Sequence, residues 1–508
     1  MSSVQPIKTN HRDSLKIKLL TYLSLVCIGC FLILENQVNA TCSPLASTGV
    51  TIKCESTGGD QTTRIGSSSA DNVKIIIQAG AVIDVDSYAT DAMRFDDDCT
   101  VINYGTVISR TQNAIKADES LEITNTGSII AEGGDGVQVG SNSARNFQLV
   151  NSGTITGNMD GVDVNDGTIV NSGTITGDED GVQIDAASGT VTNELGGEII
   201  SNGTASTHFA IDFQYSSRTE TGSVINRGTI TSTSGGVNFD GTADDSFTNS
   251  GTVNMSSKSN TAVNMGSGND TVTIEAGSSI TGIINGGGGT DGLILSANSG
   301  DESFDLFSVV NVETLEVKSG ATWTLSGSST FSGGITLNGG TLQGTTTLIG
   351  DLTVATGTLA PGNSVGTLTV NGAVSFASGT TLAIEITPSA VDQLVINGGL
   401  TITNGSTLNI TPAAGQYSGG TTYDLITTTT GITGSFGDPI VASPENFNGK
   451  EVSLQVNGNK LQLVVEESPS TSTSSIYSIP TLNEWGMIIL FLLLLMTGFA
   501  VNTMKKKS

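Results

Sequence analysis

Acidic side chains are the residues of this chain best suited to chemistry, because they fall in short runs while histidine is scarce. Two carboxylates at a set separation can hydrolyse a glycosidic bond, whereas His11 and His208 offer little material for acid–base or triad chemistry. The acidic candidates are Asp96, Asp97, Asp98, Asp160, Asp163, Asp166, Asp178, Glu179, Asp180 and Asp185. Most of them recur at equivalent places in a repeat, which is typical of corner or solvated-face residues. The sequence therefore predicts no catalytic residue and no cofactor, and a polysaccharide-acting enzyme is the alternative.

Two glycine-rich stretches, residues 266–274 and 287–295, resemble the Gly/Asp nonapeptide of calcium-binding β-rolls. The resemblance makes Asp270 and Asp291 the candidate calcium ligands of this chain. A β-roll repeats every nine residues, whereas these two aspartates lie 21 residues apart. Corner turns of a larger repeat are therefore the favoured interpretation.

A repeat of the form Asn-x-Gly-x-(Ile/Val) organises the first half of the chain. Its copies begin at Asn103, Asn125, Asn151, Asn171, Asn226 and Asn249, with a looser copy at Asn193. A second element, Asp-Gly-Val, alternates with it at Asp135, Asp160 and Asp180, with variants at Asn113 and Gly235. The period near 22 residues holds two or three short strands with alternating apolar residues.

Such a unit cannot bury its apolar face alone, so successive units must stack into one continuous Val/Ile/Leu core. The sequence predicts an all-β fold, a right-handed parallel β-helix or solenoid, with the hand following from strand twist and the crossover rule. Glycines are expected at corners that need a positive φ. The recurrent Asn side chains are expected to stack into an amide ladder between turns.

The net charge of the chain limits the classes of partner that it is expected to bind. The formal net charge is −28, and seven of the 20 Lys and Arg residues lie in the two terminal segments, so the body between them is more acidic still. An acidic surface repels nucleic acid and anionic lipid heads. No nucleic-acid partner is predicted.

The first 40 residues have the layout of a secretory signal peptide. Basic residues precede an apolar stretch over residues 19–34, and small residues up to Ala40 predict signal cleavage after that position. An uncleaved signal anchor is the alternative. Outside the cytoplasm a pair of cysteines oxidises, so Cys42 and Cys54 are predicted to form a disulfide in an N-terminal cap over residues 41–60. Cys99 is left over and is interpreted as an inert buried thiol.

The C-terminal residues 479–508 combine a short motif, an apolar stretch and three lysines. They resemble the IPTL-type C-terminal sorting signal of Gram-negative bacteria, which a membrane-embedded transpeptidase of the exosortase type is thought to recognise and cut. The resemblance implies a transmembrane helix with a basic cytoplasmic tail. An ordinary single-span anchor is the alternative. The implied recognition residues are Ile479, Pro480, Thr481, Leu482, Trp485 and Gly486.

The second half of the chain keeps the repeat logic with different motifs. Residues 334–342, 359–368 and 421–436 resemble the passenger domains of autotransporters. The predicted organisation is a β-helix with Asn-x-Gly repeats over 61–300, a passenger-like β-helix over 301–465 and a Ser/Thr linker over 466–478. The family's membrane barrel does not follow residue 465, so export by the autotransporter route is not expected.

These features together predict an exported, non-enzymatic protein of the cell envelope, structural or adhesin-like, that is membrane-anchored or sorted to the surface. The expected partners are the sorting transpeptidase, the membrane through the C-terminal helix, and a host or matrix ligand whose identity the sequence does not indicate.

Overall fold

In the computed structural model the chain winds into a parallel β-solenoid of about 15 turns with almost no helix. The structure describes residues 41–43, 49–56, 61–140, 146–185, 188–214, 219–318 and 320–467, together with 489 and 492–494. The all-β class and the parallel β-helix predicted from the repeat are confirmed. The right-handed winding stays a prediction.

Each turn of the first half contributes one strand to each of three faces, and equivalent strands pair in parallel. The first face consists of Thr51–Glu55, Lys74–Ile77, Cys99–Asn103, Leu121–Asn125, Gln148–Asn151, Gly167–Asn171, Gly189–Asn193, Gly222–Asn226, Ser246–Asn249, Thr271–Glu275, Gly292–Ser296 and Thr314–Lys318. The second face consists of Val82–Val85, Thr106–Ser109, Ser128–Ala131, Thr154–Gly157, Thr174–Gly177, Glu198–Ser201, Thr229–Ser232, Thr252–Met255 and Ser279–Thr281. The third face consists of Ile65–Gly66, Met93–Phe95, Ile115–Ala117, Val137–Val139, Val162–Val164, Val182–Ile184, Phe209–Phe213, Gly235–Phe239, Thr261–Asn264, Ile283–Asn285 and Val309–Val310.

The core follows from the alternation within each strand. In the second face, Ile155 pairs in register with Ile129 of the turn before and with Ile175 of the turn after, and all three side chains are fully buried. Burying a side chain of this size stabilises a fold by roughly 1.5–3 kcal/mol. Because every turn repeats the pattern, the buried side chains form one continuous cluster along the axis.

The cross-section changes in the second half, where strands run through a corner. Gly334–Gly344 and Leu352–Pro361 each serve two positions of one turn. Gly340 permits the bend, because its φ is +62° and a Cβ there would lie 2.3 Å from the Ala321 carbonyl oxygen. The remaining strands of this half are Ser267–Gly268, Gly288–Gly289, Asp301–Asp305, Thr322–Ser326, Thr347–Ile349, Thr367–Asn371, Val374–Phe376, Thr381–Ile386, Gln393–Ile396, Gly399–Ile402, Thr407–Pro412, Thr422–Thr428, Gly431–Gly434 and Ile440–Val441, and the 3-10 helices are Leu306–Ser308 and Pro444–Phe447.

Antiparallel strands close both ends of the described solenoid. Thr41–Ser43 pairs with Thr51–Glu55, and a disulfide links Cys42 to Cys54 across this pair with a Cα–Cα distance of 4.2 Å. At the other end, Val452–Asn457 and Lys460–Val465 form a hairpin whose second strand pairs antiparallel with Thr422–Thr428. Covering the terminal strands hides edges that would otherwise pair with other chains.

Several predicted segments lie outside the described residues. They are the signal peptide 1–40 with its cleavage point at Ala40, most of the linker 466–478 and the sorting motif 479–486. Of the C-terminal apolar stretch, residues 489 and 492–494 are described, and they are helical. Among all described residues, no helix has the length and apolar character needed to cross a bilayer.

Candidate functional site

The repeated Asn side chains form a continuous ladder at one corner of the solenoid. In each of the six steps from Asn103 to Asn249, the Nδ2 group donates to the Oδ1 atom of the Asn one turn on, over 2.7–2.9 Å. The seven side chains are fully buried. The predicted ladder is confirmed, and the loose copy at Asn193 belongs to it. Its residues are Asn103, Asn125, Asn151, Asn171, Asn193, Asn226 and Asn249.

The glycine of each Asn-x-Gly motif is required for a different reason from the predicted one. The φ of Gly153 is not positive. A Cβ at this position would instead lie 2.1 Å from the carbonyl oxygen of Gly127, the equivalent glycine of the preceding turn. The glycine is therefore needed because two backbones approach closely at this corner. The Asn side chain of the motif forms hydrogen bonds with the backbone polar groups beside the glycine.

The Asp-Gly-Val motifs form a second column, at the corner that leads into the third face. Oδ1 of Asp135 accepts a hydrogen bond from the amide of Asp160 (3.1 Å), and Oδ1 of Asp160 accepts one from the amide of Asp180 (2.9 Å). The carboxylate of Asp180 in turn accepts from the amide of Phe209. These aspartates cap backbone amides of the following turn, which is the corner role that their periodicity indicated.

Burial makes these corner carboxylates hard to ionise. Desolvation is the largest cause, and it raises the pKa of Asp160 to about 8 and that of Asp180 to about 6. The pKa of Asp135 is raised for the same reason. The amide hydrogen bonds oppose the shift, while neighbouring carboxylates add to it.

Asp270 and Asp291, the calcium candidates, lie in a third column at the corner that leads into the first face. Oδ1 of Asp270 accepts from the amide of Asp245 (2.7 Å), Oδ1 of Asp291 from the amide of Asp270 (2.8 Å), and Oε2 of Glu313 from the amide of Asp291 (2.8 Å). Both aspartates are 2% exposed, and desolvation raises the pKa of Asp270 to about 7.

Calcium coordination requires six to eight oxygen ligands. Within the described part of the chain, no group of three or more His, Cys, Asp or Glu side chains is placed to hold a metal ion. The hydrogen bonds of Asp270 and Asp291 are those of corner capping, which is the interpretation that the sequence favoured, and calcium binding gains no support from them.

A polar stripe runs along the outward side of the third face. We define it as Arg94, Lys116, Gln138, Asp163, Gln183, Asp212, Asn238, Asn264 and Asn285, which occupy one register position in successive turns. Side-chain hydrogen bonds connect neighbours, as from Gln138 to Asp163 and from Asn238 to Asp212. Burial raises the pKa of Asp163 to about 7 and that of Asp212 to about 8.

The acidic candidates from the sequence do not gather into one site. Asp160, Asp163, Asp180 and Asp185 lie in adjacent turns at the third face, with Gln183 donating to Asp185. Asp97 instead caps the amides of Asp98 and Ser120 at an earlier turn. The residue that the sequence reasoning missed is Asp212, because it lies outside any Asp-Gly-Val motif and only its register reveals that it continues the stripe.

Cys99 is a buried thiol, 2% exposed. Its Sγ donates to the Ala70 carbonyl oxygen (3.2 Å) and accepts from the Val73 amide (3.4 Å). Burial is the main cause that raises the pKa of the thiol to about 11. A thiolate is therefore disfavoured, which matches the inert role predicted from the sequence.

An open groove lies where the second face is interrupted. One wall is formed by residues 278–283 and the other by residues 303–310, with Lys258 and Ser259 at the mouth and Ser326 at the narrow end. We call this feature the junction groove. It consists of two adjoining cavities that share Ile280, Asp305 and Ser308: one of about 490 Å³, called the wide part, and one of about 280 Å³, called the narrow part.

The groove exists because the parallel ladder of the second face is broken once along the described chain. Ser279–Thr281 pairs with Thr252–Met255 of the preceding turn, but the next strand at this position, Asp301–Asp305, pairs onward with Thr322–Ser326 instead. The 3-10 helix Leu306–Ser308 follows this strand, and Oδ1 of its N-cap residue Asp305 accepts from the Phe307 amide.

The surface of the junction groove is apolar with charged borders. The Phe307 side chain is 79% exposed and Val310 is 39% exposed, while Ile280 packs partly against the core. Hydroxyl groups of Ser278, Ser279, Ser303 and Ser308 line the narrow part. A large aromatic ring left in solvent beside other apolar groups is a feature of binding surfaces.

Comparison with protein-family models and with curated proteins finds no match to this chain. The functional argument therefore depends on the geometry of the ladders, the stripe and the groove.

Proposed function

We propose that this chain is an exported, non-catalytic protein of a Gram-negative cell surface, a rigid adhesin-like rod that presents the junction groove to a ligand. The observation that carries the proposal is the unbroken asparagine ladder flanked by carboxylates that repeat from turn to turn. Polar residues in such columns are engaged in holding successive turns together, which supports a scaffold rather than a catalytic set.

The proposed route to the surface depends on the two ends of the chain. A signal peptide over residues 1–40 directs export, and the motif at residues 479–486 is recognised by a sorting transpeptidase of the exosortase type. The apolar stretch after Gly486 spans the inner membrane until cleavage, and Lys505, Lys506 and Lys507 keep the tail in the cytoplasm. The support for this route is the order and spacing of these segments in the sequence.

Mass spectrometry of protein shaved from intact cells tests the route. The proposal expects an N-terminus at Thr41 and no peptide that contains residues 505–507. Substituting Pro480 and Trp485 by Ala should leave an unprocessed chain at the inner membrane, while the same change at Ser474 and Ser475 should have no effect. Surface protein that retains the three lysines would contradict sorting by cleavage and would leave a simple membrane anchor.

Attachment of cells to matrix-coated surfaces tests the adhesive role. Phe307→Ser removes the exposed ring of the groove, and Leu195→Ser removes a leucine that is 85% exposed in another turn. The proposal expects reduced attachment from the first variant only. Equal attachment by both variants, at equal surface display, would refute the groove as the adhesive site.

A polysaccharide hydrolase is the second candidate, because two carboxylates with raised pKa lie in the polar stripe. Asp163 and Asp212 are two turns apart, about 9–10 Å along the axis at about 4.8 Å per turn, near the separation found in inverting glycosidases. Asp212 is however only 1% exposed and accepts a hydrogen bond from Asn238. Release of reducing sugar from surface polysaccharides, abolished by Asp163→Asn, would favour the enzyme over the scaffold.

A further inference from the structure

The junction groove is bounded on both sides by strands that have no partner on the groove side among the described residues. Ser279–Thr281 is the last strand of the second-face sheet, and Asp301–Asp305 is the first strand of the stack that follows. Two open strand edges therefore face one cavity. Open edges in β-proteins are sites where another chain adds as a strand.

The hydrogen-bonding pattern of the wall formed by residues 278–283 fits such an addition. In a parallel sheet, alternate residues of a strand direct their amide and carbonyl groups to opposite neighbours. The amide of Ser279 bonds to the Gly251 carbonyl oxygen of the preceding turn. By this alternation the backbone groups of Ile280 are directed toward the groove.

The side chains around the groove indicate what kind of strand it accepts. Phe307 and Val310 provide an apolar surface beside Ile283 for every second side chain of an extended peptide. Asp305 borders both parts of the groove, and the exposed Asp301 begins the same strand just outside the lining. The Asp305 carboxylate, on a chain of net charge −28, favours a basic side chain beside it, which can also stack on the exposed Phe307 ring. Lys258 borders the wide part, so the basic side chain is expected at Asp305 and away from Lys258.

We propose that the junction groove binds an extended peptide segment of a partner protein, with alternating apolar and basic side chains, as an added strand beside Ser279–Thr281. The inference rests on the proposed adhesive function and specifies the partner and the mode of binding.

Fluorescence anisotropy with the purified full chain tests the proposal. The probe is a fluorescein-labelled heptapeptide, Thr-Val-Lys-Val-Thr-Val-Lys, and its control carries N-methyl groups on alternate residues, which remove amide donors without changing side chains or charge. We expect saturable binding of the probe and at least tenfold weaker binding of the N-methylated control. Equal binding of the two peptides would overturn strand addition.

Matched variants locate the binding. Phe307→Ser should lower the affinity for the probe peptide at least fivefold, whereas Leu195→Ser should leave this affinity unchanged. Asp305→Asn keeps an oxygen to cap the Phe307 amide and removes the charge, so it should weaken binding and reduce its dependence on salt. Binding that is insensitive to both groove variants would overturn the assignment.

Three further outcomes separate the alternatives. Binding of neutral oligosaccharides in place of the peptide would overturn the partner class but keep an adhesive groove. Sedimentation showing concentration-dependent dimers that Phe307→Ser abolishes would replace the partner peptide by a second copy of this chain. Loss of cell attachment in Phe307→Ser without any peptide binding would refute strand addition while leaving the proposed function standing.

Discussion

Asp160→Asn is the substitution whose effect the structure specifies best. Among Asp135, Asp160 and Asp180, Asp160 has the highest pKa, so its ionisation in the folded state destabilises the fold strongly. Asp160 is 5% exposed, and burial raises the pKa of its carboxyl from 3.8 to about 8. Asparagine keeps the Oδ1 acceptor that the Asp180 amide uses at 2.9 Å, but it cannot ionise.

The sign and size follow from linkage between protonation and folding. Because the folded-state pKa of this carboxyl lies above its unfolded value of 3.8, its contribution to stability is fully present below pH 3.8 and is lost as the pH rises through about 8. Between pH 3.8 and pH 7 lie roughly three pH units, and each of them lowers the contribution of this carboxyl to the free energy of unfolding by about 1.4 kcal/mol. Asp160→Asn should therefore raise the free energy of unfolding by on the order of 4 kcal/mol at pH 7 and leave it nearly unchanged at pH 3.5.

Guanidinium unfolding followed by circular dichroism at pH 3.5, 5.5 and 7.5 provides the assay, together with hydrogen exchange at the Asp180 amide, since a long solenoid can unfold in segments. The control is Asp178→Asn, which removes an exposed carboxylate beside the same column and should change the free energy of unfolding little. Loss of stability in Asp160→Asn relative to the wild type at pH 7.5, or an equal difference between the two at pH 3.5 and pH 7.5, would refute the reasoning.

Three other substitutions or reactions test the ladders and the core. Asn171→Ala should lower the free energy of unfolding by about 3 kcal/mol, because it leaves buried polar groups without a hydrogen-bond partner. One of them is the Glu198 carbonyl oxygen, which accepts from the Asn171 Nδ2 group at 3.0 Å. A change below about 1 kcal/mol in denaturant titration would show that the ladder is dispensable. Gly153→Ala should destabilise the fold more than Ser152→Ala, because a Cβ at Gly153 would lie 2.1 Å from the Gly127 carbonyl oxygen. Equal melting temperatures of the two variants would contradict the close approach of the two backbones. Cys99 should resist iodoacetamide at pH 8 until the chain is unfolded, as peptide mapping can measure, and rapid labelling of the folded protein would show that the thiol is accessible.

The first half of the fold can be predicted well from the sequence, because each repeat contains residues that fix its own corner and residues that bond to the next turn. An Asn two residues before a Gly satisfies polar groups at the corner and, through its amide, the next turn as well. The equivalence of Asn125, Asn151 and Asn171 therefore follows from the amino-acid sequence alone. The reason for the Gly does not, because a positive φ and a close backbone approach select the same residue type.

The interruption at the junction groove is harder to predict. Residues 301–305 alternate in the manner of any solenoid strand, and nothing local indicates that they pair onward rather than backward. The only signal is negative, since no further Asn-x-Gly-x-(Ile/Val) copy follows Asn249 in the residues before this strand. The burial of Asp212 is likewise invisible in the sequence, because it depends on the register between distant turns.

The Asn ladder ends one turn before the break that forms the junction groove. Up to Asn249 the corner after the first face is held by a buried amide, and the next residue to take this register position is Ile274, whose apolar side chain cannot continue the ladder. The Asn249 side chain donates instead to the Ser278 hydroxyl, at the edge of the junction groove. The second-face strand of that turn, Ser279–Thr281, still pairs with the turn before, and the break comes one turn later, where Asp301–Asp305 pairs onward with Thr322–Ser326. A binding groove can form there without weakening the ladders on either side, because the first-face strands Thr271–Glu275, Gly292–Ser296 and Thr314–Lys318 remain paired across the break.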